Sequence, residues 1–135
     1  EDALKKLTPW LPQNTGTWTI NSTLPGGDFP VQGLGDLTDQ LCHAYPALDA
    51  SLVTRLARSY GTRARTMLGD RKATANLGIH FGADLYACEV AYLMAHEWAL
   101  CAEDVLWRRS KLGLHFSAQE TRGLEYWMIN NQTGV

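Results

Sequence analysis

His96 and Glu97 stand side by side in the run Tyr92–Gly113, YLMAHEWALCAEDVLWRRSKLG, and such a pair is half of a zinc-hydrolase motif. That chemistry needs a second histidine four residues on, so that both imidazoles share one helical face. Leu100 occupies that place, and Cys101, five after His96, is poorly phased. No Ser–His–Asp order, carboxylate pair or Cys–His pair elsewhere earns a catalytic assignment, so no catalytic residue and no metal ligand is assigned. His96 reads as a structural residue beside an ion-paired Glu97.

Tyr86, Tyr92, Trp98, Trp107 and Trp127 could stack on a base or a flavin, but aromatics at helical spacing fit a core better. The glycine-rich piece LPGGDFPVQGLG lacks GxGxxG spacing and a preceding parallel strand, so no cofactor-binding residue is assigned. Cys42, Cys88 and Cys101 have small or apolar neighbours and no CxxC spacing, and they read as buried free thiols of a reducing compartment.

Charge is uneven. The whole chain carries a formal net charge of -2, which gives no general case for nucleic acid. Residues 51–75 nevertheless hold Arg55, Arg58, Arg63, Arg65, Arg71 and Lys72 against the single acid Asp70. The bland reading is a solvated face with salt bridges to the acid-rich remainder. The alternative is a docking surface, with Arg55 and Arg58 as its candidates and Arg109 as a third, from the Arg108-Arg109 pair. No nucleic-acid recognition motif accompanies these charges.

The elements that must position these residues are mainly helical. A chain of 135 residues, 45% of them hydrophobic, fits one ordinary domain with a real core. No apolar run approaches the ~20 residues that span a bilayer. EDALKKL reads as a helix already under way, as at a cut near the end of a parent-domain helix or after loss of an N-terminal segment. Residues 17–24, TWTINSTL, alternate enough for a short strand, and PGGD at 25–28 makes a turn. Helices are expected over about 35–44, from an Asp49 cap to Gly61, over 62–68, 84–97 and 100–111, and from the capping box SAQE at 117–120. Leu124, Trp127 and Met128 form the core face of the last helix, and Gly113 is a candidate C-cap. Helix 84–97 is apolar on most sides and belongs at the centre. Glu89 within it therefore needs a partner or must take up a proton. The expected fold is all-α, a small multi-helix bundle with an extended N-terminal strap or short strand.

The chain resembles the C-terminal helical domain of aerobic, FAD-dependent glycerol-3-phosphate dehydrogenase over most of its length. Tyr92–Gly113 carries the resemblance, especially His96-Glu97-Trp98, Glu103-Asp104, Leu106-Trp107-Arg108-Arg109 and Lys111. Pro25-Gly26-Gly27-Asp28, Tyr60-Gly61 and Phe81-Gly82 reinforce it. The resemblance implies a junction segment at 1–28 and a C-terminal helical domain at 29–135. It implies a parent that oxidises sn-glycerol 3-phosphate to dihydroxyacetone phosphate through FAD and passes electrons to membrane quinone. That parent would be a bacterial, cytoplasmic protein, peripheral on the inner face of the inner membrane, and a homo-oligomer is compatible with it. Its dinucleotide motif and substrate residues lie in the missing N-terminal FAD-binding and substrate part. None of them maps here, so this domain is expected to be noncatalytic. Glu89, Glu97, Trp98, Trp107 and Arg108 are the expected structural anchors. The competing reading is an independent helical interaction module whose basic surface binds an acidic partner.

Overall fold

The computed structural model describes residues 2–11 and 18–131. It opens with α1 (Asp2–Leu7) and a 3-10 turn at Thr8–Trp10. Every described residue from 2 to 25 is exposed. Of the strand expected over 17–24, Thr17 lies outside the described residues and Thr19–Asn21 wind into a 3-10 turn. A strand needs a neighbour to satisfy its backbone, and none stands beside this segment among the described residues, so it takes the strap form.

The strap is fastened at Pro25–Asp28. Thr62 donates its N–H to the Gly26 carbonyl at 3.1 Å, and its hydroxyl to the Asp28 carboxylate. Gly26 has φ +85° and Gly61 φ +55°. A Cβ on Gly26 would run into the Tyr60 carbonyl oxygen, and one on Gly61 into the Gly26 carbonyl. Two segments of the chain cross here at a separation only glycine allows.

The body follows as α2 (Leu34–Ala44), α3 (Ala50–Tyr60) and α4 (Arg63–Leu68). Asp49 caps α3, accepting from the Ser51 N–H at 2.7 Å. Leu52, Val53, Leu56 and Tyr60 turn inward from α3 and meet Leu37 and Leu41 of α2. Next come β1 (His80–Gly82) and β2 (Leu85–Tyr86), an antiparallel hairpin where only turns, and the start of a helix at 84, are expected from the sequence. Ala83 and Asp84 both take positive φ at its tip, as a tight two-residue hairpin requires.

Central helix α5 (Ala87–His96) therefore starts three residues later than its periodicity suggests. A π-helical turn over Asp104–Arg109 replaces the regular helix expected at 100–111. Val105 and Leu106 still reach the core. Its stop is Lys111 at φ +61°, not Gly113. Gly113 instead makes room for an aromatic ring, since Trp107 lies over it, 2.5 Å from where a Cβ would stand. α6 (Ala118–Asn131) opens on the expected capping box. Ser117 N–H donates to Glu120 at 2.7 Å, and Glu120 N–H to the Ser117 hydroxyl at 3.2 Å. Leu124 and Met128 are buried and Trp127 is half-buried against Phe81. Cys42 and Cys88 are half-buried, whereas Cys101 is exposed, against the expectation of three buried thiols. No helix among the described residues is long and apolar enough to cross a membrane.

Candidate functional site

Glu89 is the buried charge of the domain, 2% exposed on α5. Arg55 of α3 meets it in a two-pronged pair, Nη1 to Oε1 at 2.8 Å and Nη2 to Oε2 at 2.6 Å. Tyr60 donates its hydroxyl to Oε1 at 2.7 Å. Arg55 Nη2 also donates to the Asp84 carbonyl in the hairpin tip at 2.8 Å. One carboxylate thus ties α3, α5 and the hairpin together, with Tyr92 edge-on against Tyr60 at 5.8 Å. Burial, followed by the Glu89 charge and hydrogen bond, pushes the Tyr60 phenol well above its ordinary range, so it stays a donor. Burial opposes the Arg55 charge, but Glu89 outweighs it and holds the guanidinium above its ordinary range. Arg55 Nε is buried without a hydrogen-bond partner. Glu89 is sealed from solvent, while the Arg55 side chain stays 22% exposed at the edge of the node.

A second arrangement is built from the run after α5. Trp98 has φ +54°, the left-handed position where a chain usually places glycine to leave a helix. Ala99 then turns back into the core and donates its N–H to the Leu93 carbonyl at 3.2 Å. Arg109 Nε donates to the Glu97 carbonyl at 3.0 Å, and its contact with the Glu97 carboxylate is longer, 4.0 Å. Asp104 accepts from the Leu100 and Cys101 N–H groups at 2.9 and 3.2 Å while holding Arg108 at 2.8 Å. Leu100 N–H above all, then the Cys101 groups and Arg108, hold the Asp104 carboxyl below its ordinary value. Glu103 takes the other arm of Arg108 at 2.8 Å.

These contacts sort the residues singled out in the sequence. Glu89 joins the buried node, and Arg108 and Glu97 sit in surface pairs around the π turn. Trp98 does not anchor the core: it is 82% exposed, because the left-handed turn swings the indole outward. Trp107 is 44% exposed and packs on the Gly113 turn, so its part is local. Arg55 has both its Nη groups engaged by Glu89, with Nη2 also on the Asp84 carbonyl. The rest of the basic stretch also disperses: Arg65 binds Gln40, Arg71 turns back to the Met67 and Leu68 carbonyls at the end of α4, and Lys72 reaches Ala44 and lies over Tyr45. Arg58 stays exposed and Arg109 rims the Trp98 turn. Tyr60 and Asp84 were invisible as partners in the sequence, where only the unusual burial of Glu89 pointed to the node.

Among the described residues no group of three His, Cys, Asp or Glu could hold a metal ion. Their one sheet is the two-stranded antiparallel hairpin, which offers no dinucleotide cradle. The open recesses lie on the outside. One of about 880 Å³ separates the strap from α2 and α4, one of about 920 Å³ runs between the hairpin and α6, and one of about 500 Å³ lies beside Trp98.

The family model for the C-terminal domain of alpha-glycerophosphate oxidase matches residues 17–125. Glycerol-3-phosphate dehydrogenase of Pseudomonas aeruginosa is 47% identical over 127 residues, covering 93% of this chain and 25% of that protein. Aerobic glycerol-3-phosphate dehydrogenase of Escherichia coli is 38% identical over 130 residues, 96% of this chain and 26% of that protein. D-erythritol 1-phosphate dehydrogenase of Brucella abortus is 35% identical over 130 residues, with coverage of 96% and 26%. The chain spans about a quarter of the length of these relatives. It belongs to the family of C-terminal domains of alpha-glycerophosphate oxidase.

Proposed function

We propose that this chain is the noncatalytic C-terminal domain of a bacterial FAD-dependent dehydrogenase that oxidises sn-glycerol 3-phosphate to dihydroxyacetone phosphate and passes the electrons to membrane quinone. The observation that carries the reading is the match to a C-terminal domain in relatives about four times as long. FAD, substrate and quinone belong to the larger remaining part. No step of the reaction is assigned to the described residues. The whole protein is read as peripheral to the cytoplasmic face of the inner membrane. Within it, the Glu89–Arg55–Tyr60 node keeps this domain rigid, and Arg58 and Arg109 are charged contacts available to the body.

The test is oxidation of glycerol 3-phosphate by the full-length polypeptide with a soluble quinone analogue, beside the same protein lacking residues 25–135. The full protein should turn over and retain flavin, and the truncated one should lose flavin or stability. Turnover of D-erythritol 1-phosphate in place of glycerol 3-phosphate would correct the substrate, and full activity of the truncated protein would remove the supporting role.

A further inference from the structure

The turn after α5 holds the Trp98 indole outward against two costs. Trp98 occupies left-handed backbone, which disfavours any residue with a side chain. Its ring is 82% exposed, and neighbouring Leu100 is 66% exposed. The placement is held firmly: Arg109 clamps the Glu97 carbonyl before it, and buried Ala99 anchors the chain after it. The indole makes no ring contact or hydrogen bond with a described residue. A large aromatic displayed on a clamped, strained turn loses little freedom on binding, which is the character of an interface anchor.

We propose that Trp98 is the anchor by which this domain seats on the larger remaining part of the polypeptide, its indole entering an apolar pocket there. This rests on the reading of the chain as one domain of a longer dehydrogenase. Continuity identifies the occupant. Pro25 lines the recess beside Trp98, together with Arg63, His96 and Arg109. Pro25 is also where the fully exposed strap joins the body, and the strap displays Trp10, Trp18, Ile20 and Leu24 at 75%, 60%, 84% and 80%. The face around Trp98 thus runs into the segment that leads toward the rest of the chain. Relatives carry about three quarters of their length outside the matched region, ample to cover it. The basic rim of Arg63 and Arg109 suits carboxylates or backbone carbonyls around the pocket.

The experiment is hydroxyl-radical footprinting of the full-length flavoprotein, native and in urea, read by mass spectrometry. Trp98 and Leu100 should label several-fold more slowly in the native protein than in urea. Equal labelling overturns the proposal. So does protection that appears only at concentrations where dimers form, which assigns the face to a second copy. Protection only on adding phosphatidylethanolamine–phosphatidylglycerol vesicles assigns it to lipid and likewise overturns it. Trp98→Gly separates docking from local fit: relief of backbone strain alone raises the thermal midpoint of the full-length protein, whereas loss of the anchor lowers it. Turnover of glycerol 3-phosphate is measured on the same sample. Protection without turnover keeps the docking face and removes the dehydrogenase reading; turnover without protection does the reverse.

Discussion

The helical body and the strap with its Trp98 face place their large apolar side chains in opposite ways. In the body, Leu41, Leu56, Leu85, Leu93 and Leu124 are fully buried, and the buried acid Glu89 has three hydrogen-bond donors from Arg55 and Tyr60. In the strap and at Trp98, tryptophans and leucines stand in solvent. The body closes its core within the domain, although Val31, Ile79, Leu114, Tyr126 and Ile129 also stand in solvent. The other region has a composition that makes physical sense only against something else, because exposed aromatic and aliphatic groups gain their free energy on burial.

The contrast between the two regions breaks most easily at Glu89. Glu89→Ala leaves Arg55 charged and half-enclosed with no counter-ion, and should destabilise the isolated chain by about 3–5 kcal/mol in urea unfolding. A loss below about 1 kcal/mol would mean the node does not hold the body together. Trp98→Gly sharpens the contrast, since in the isolated chain it removes strain at little packing cost. A gain of up to about 1 kcal/mol is expected there, against a loss in the full-length protein. Ser117→Ala should cost about 1 kcal/mol by opening the cap of α6; an unchanged midpoint would show that the cap is replaced by water.

Acid probes the surface of the π turn. The Asp104 carboxyl lies below its ordinary 3.8, so its contribution is present above that value and is lost as the pH falls below it. Asp104→Asn should flatten that part of the acid unfolding curve, and an unaltered curve would place the acid sensitivity elsewhere. The smallest effect belongs to the strap. Removing residues 1–24 should change the unfolding free energy of the remaining chain by less than about 0.5 kcal/mol, because no described side chain there is buried. A larger loss would show that the strap belongs to the body.

Local chemistry was legible in the sequence. Asp49 and SAQE mark helix starts because a side-chain oxygen satisfies a free N–H within three residues. The periodicity of 50–60 and the apolar surroundings of Glu89 pointed to burial, because a helix with few polar sides has no solvent face. The hairpin was less visible: Ala83 and Asp84 take positive φ without glycine, and the nearby Gly82 serves a close approach to Glu120 instead. The π turn was equally hidden, since its residues keep a helix-like pattern while the widened turn changes which of them face inward.

Sequence by itself determined that the fold is helical, that Glu89 needed an answer, and that the chain is a domain of a recognisable family. Only tertiary structure decided the answer. Arg55 lies 34 residues from Glu89, and their pairing depends on how α3 crosses α5. The same holds for Trp98, whose side chain alone argues for burial. Its exposure follows from a left-handed turn clamped by Arg109, eleven residues further on. Side-chain type sets what a residue gains from burial, but the packing of distant elements sets whether the domain can bury it.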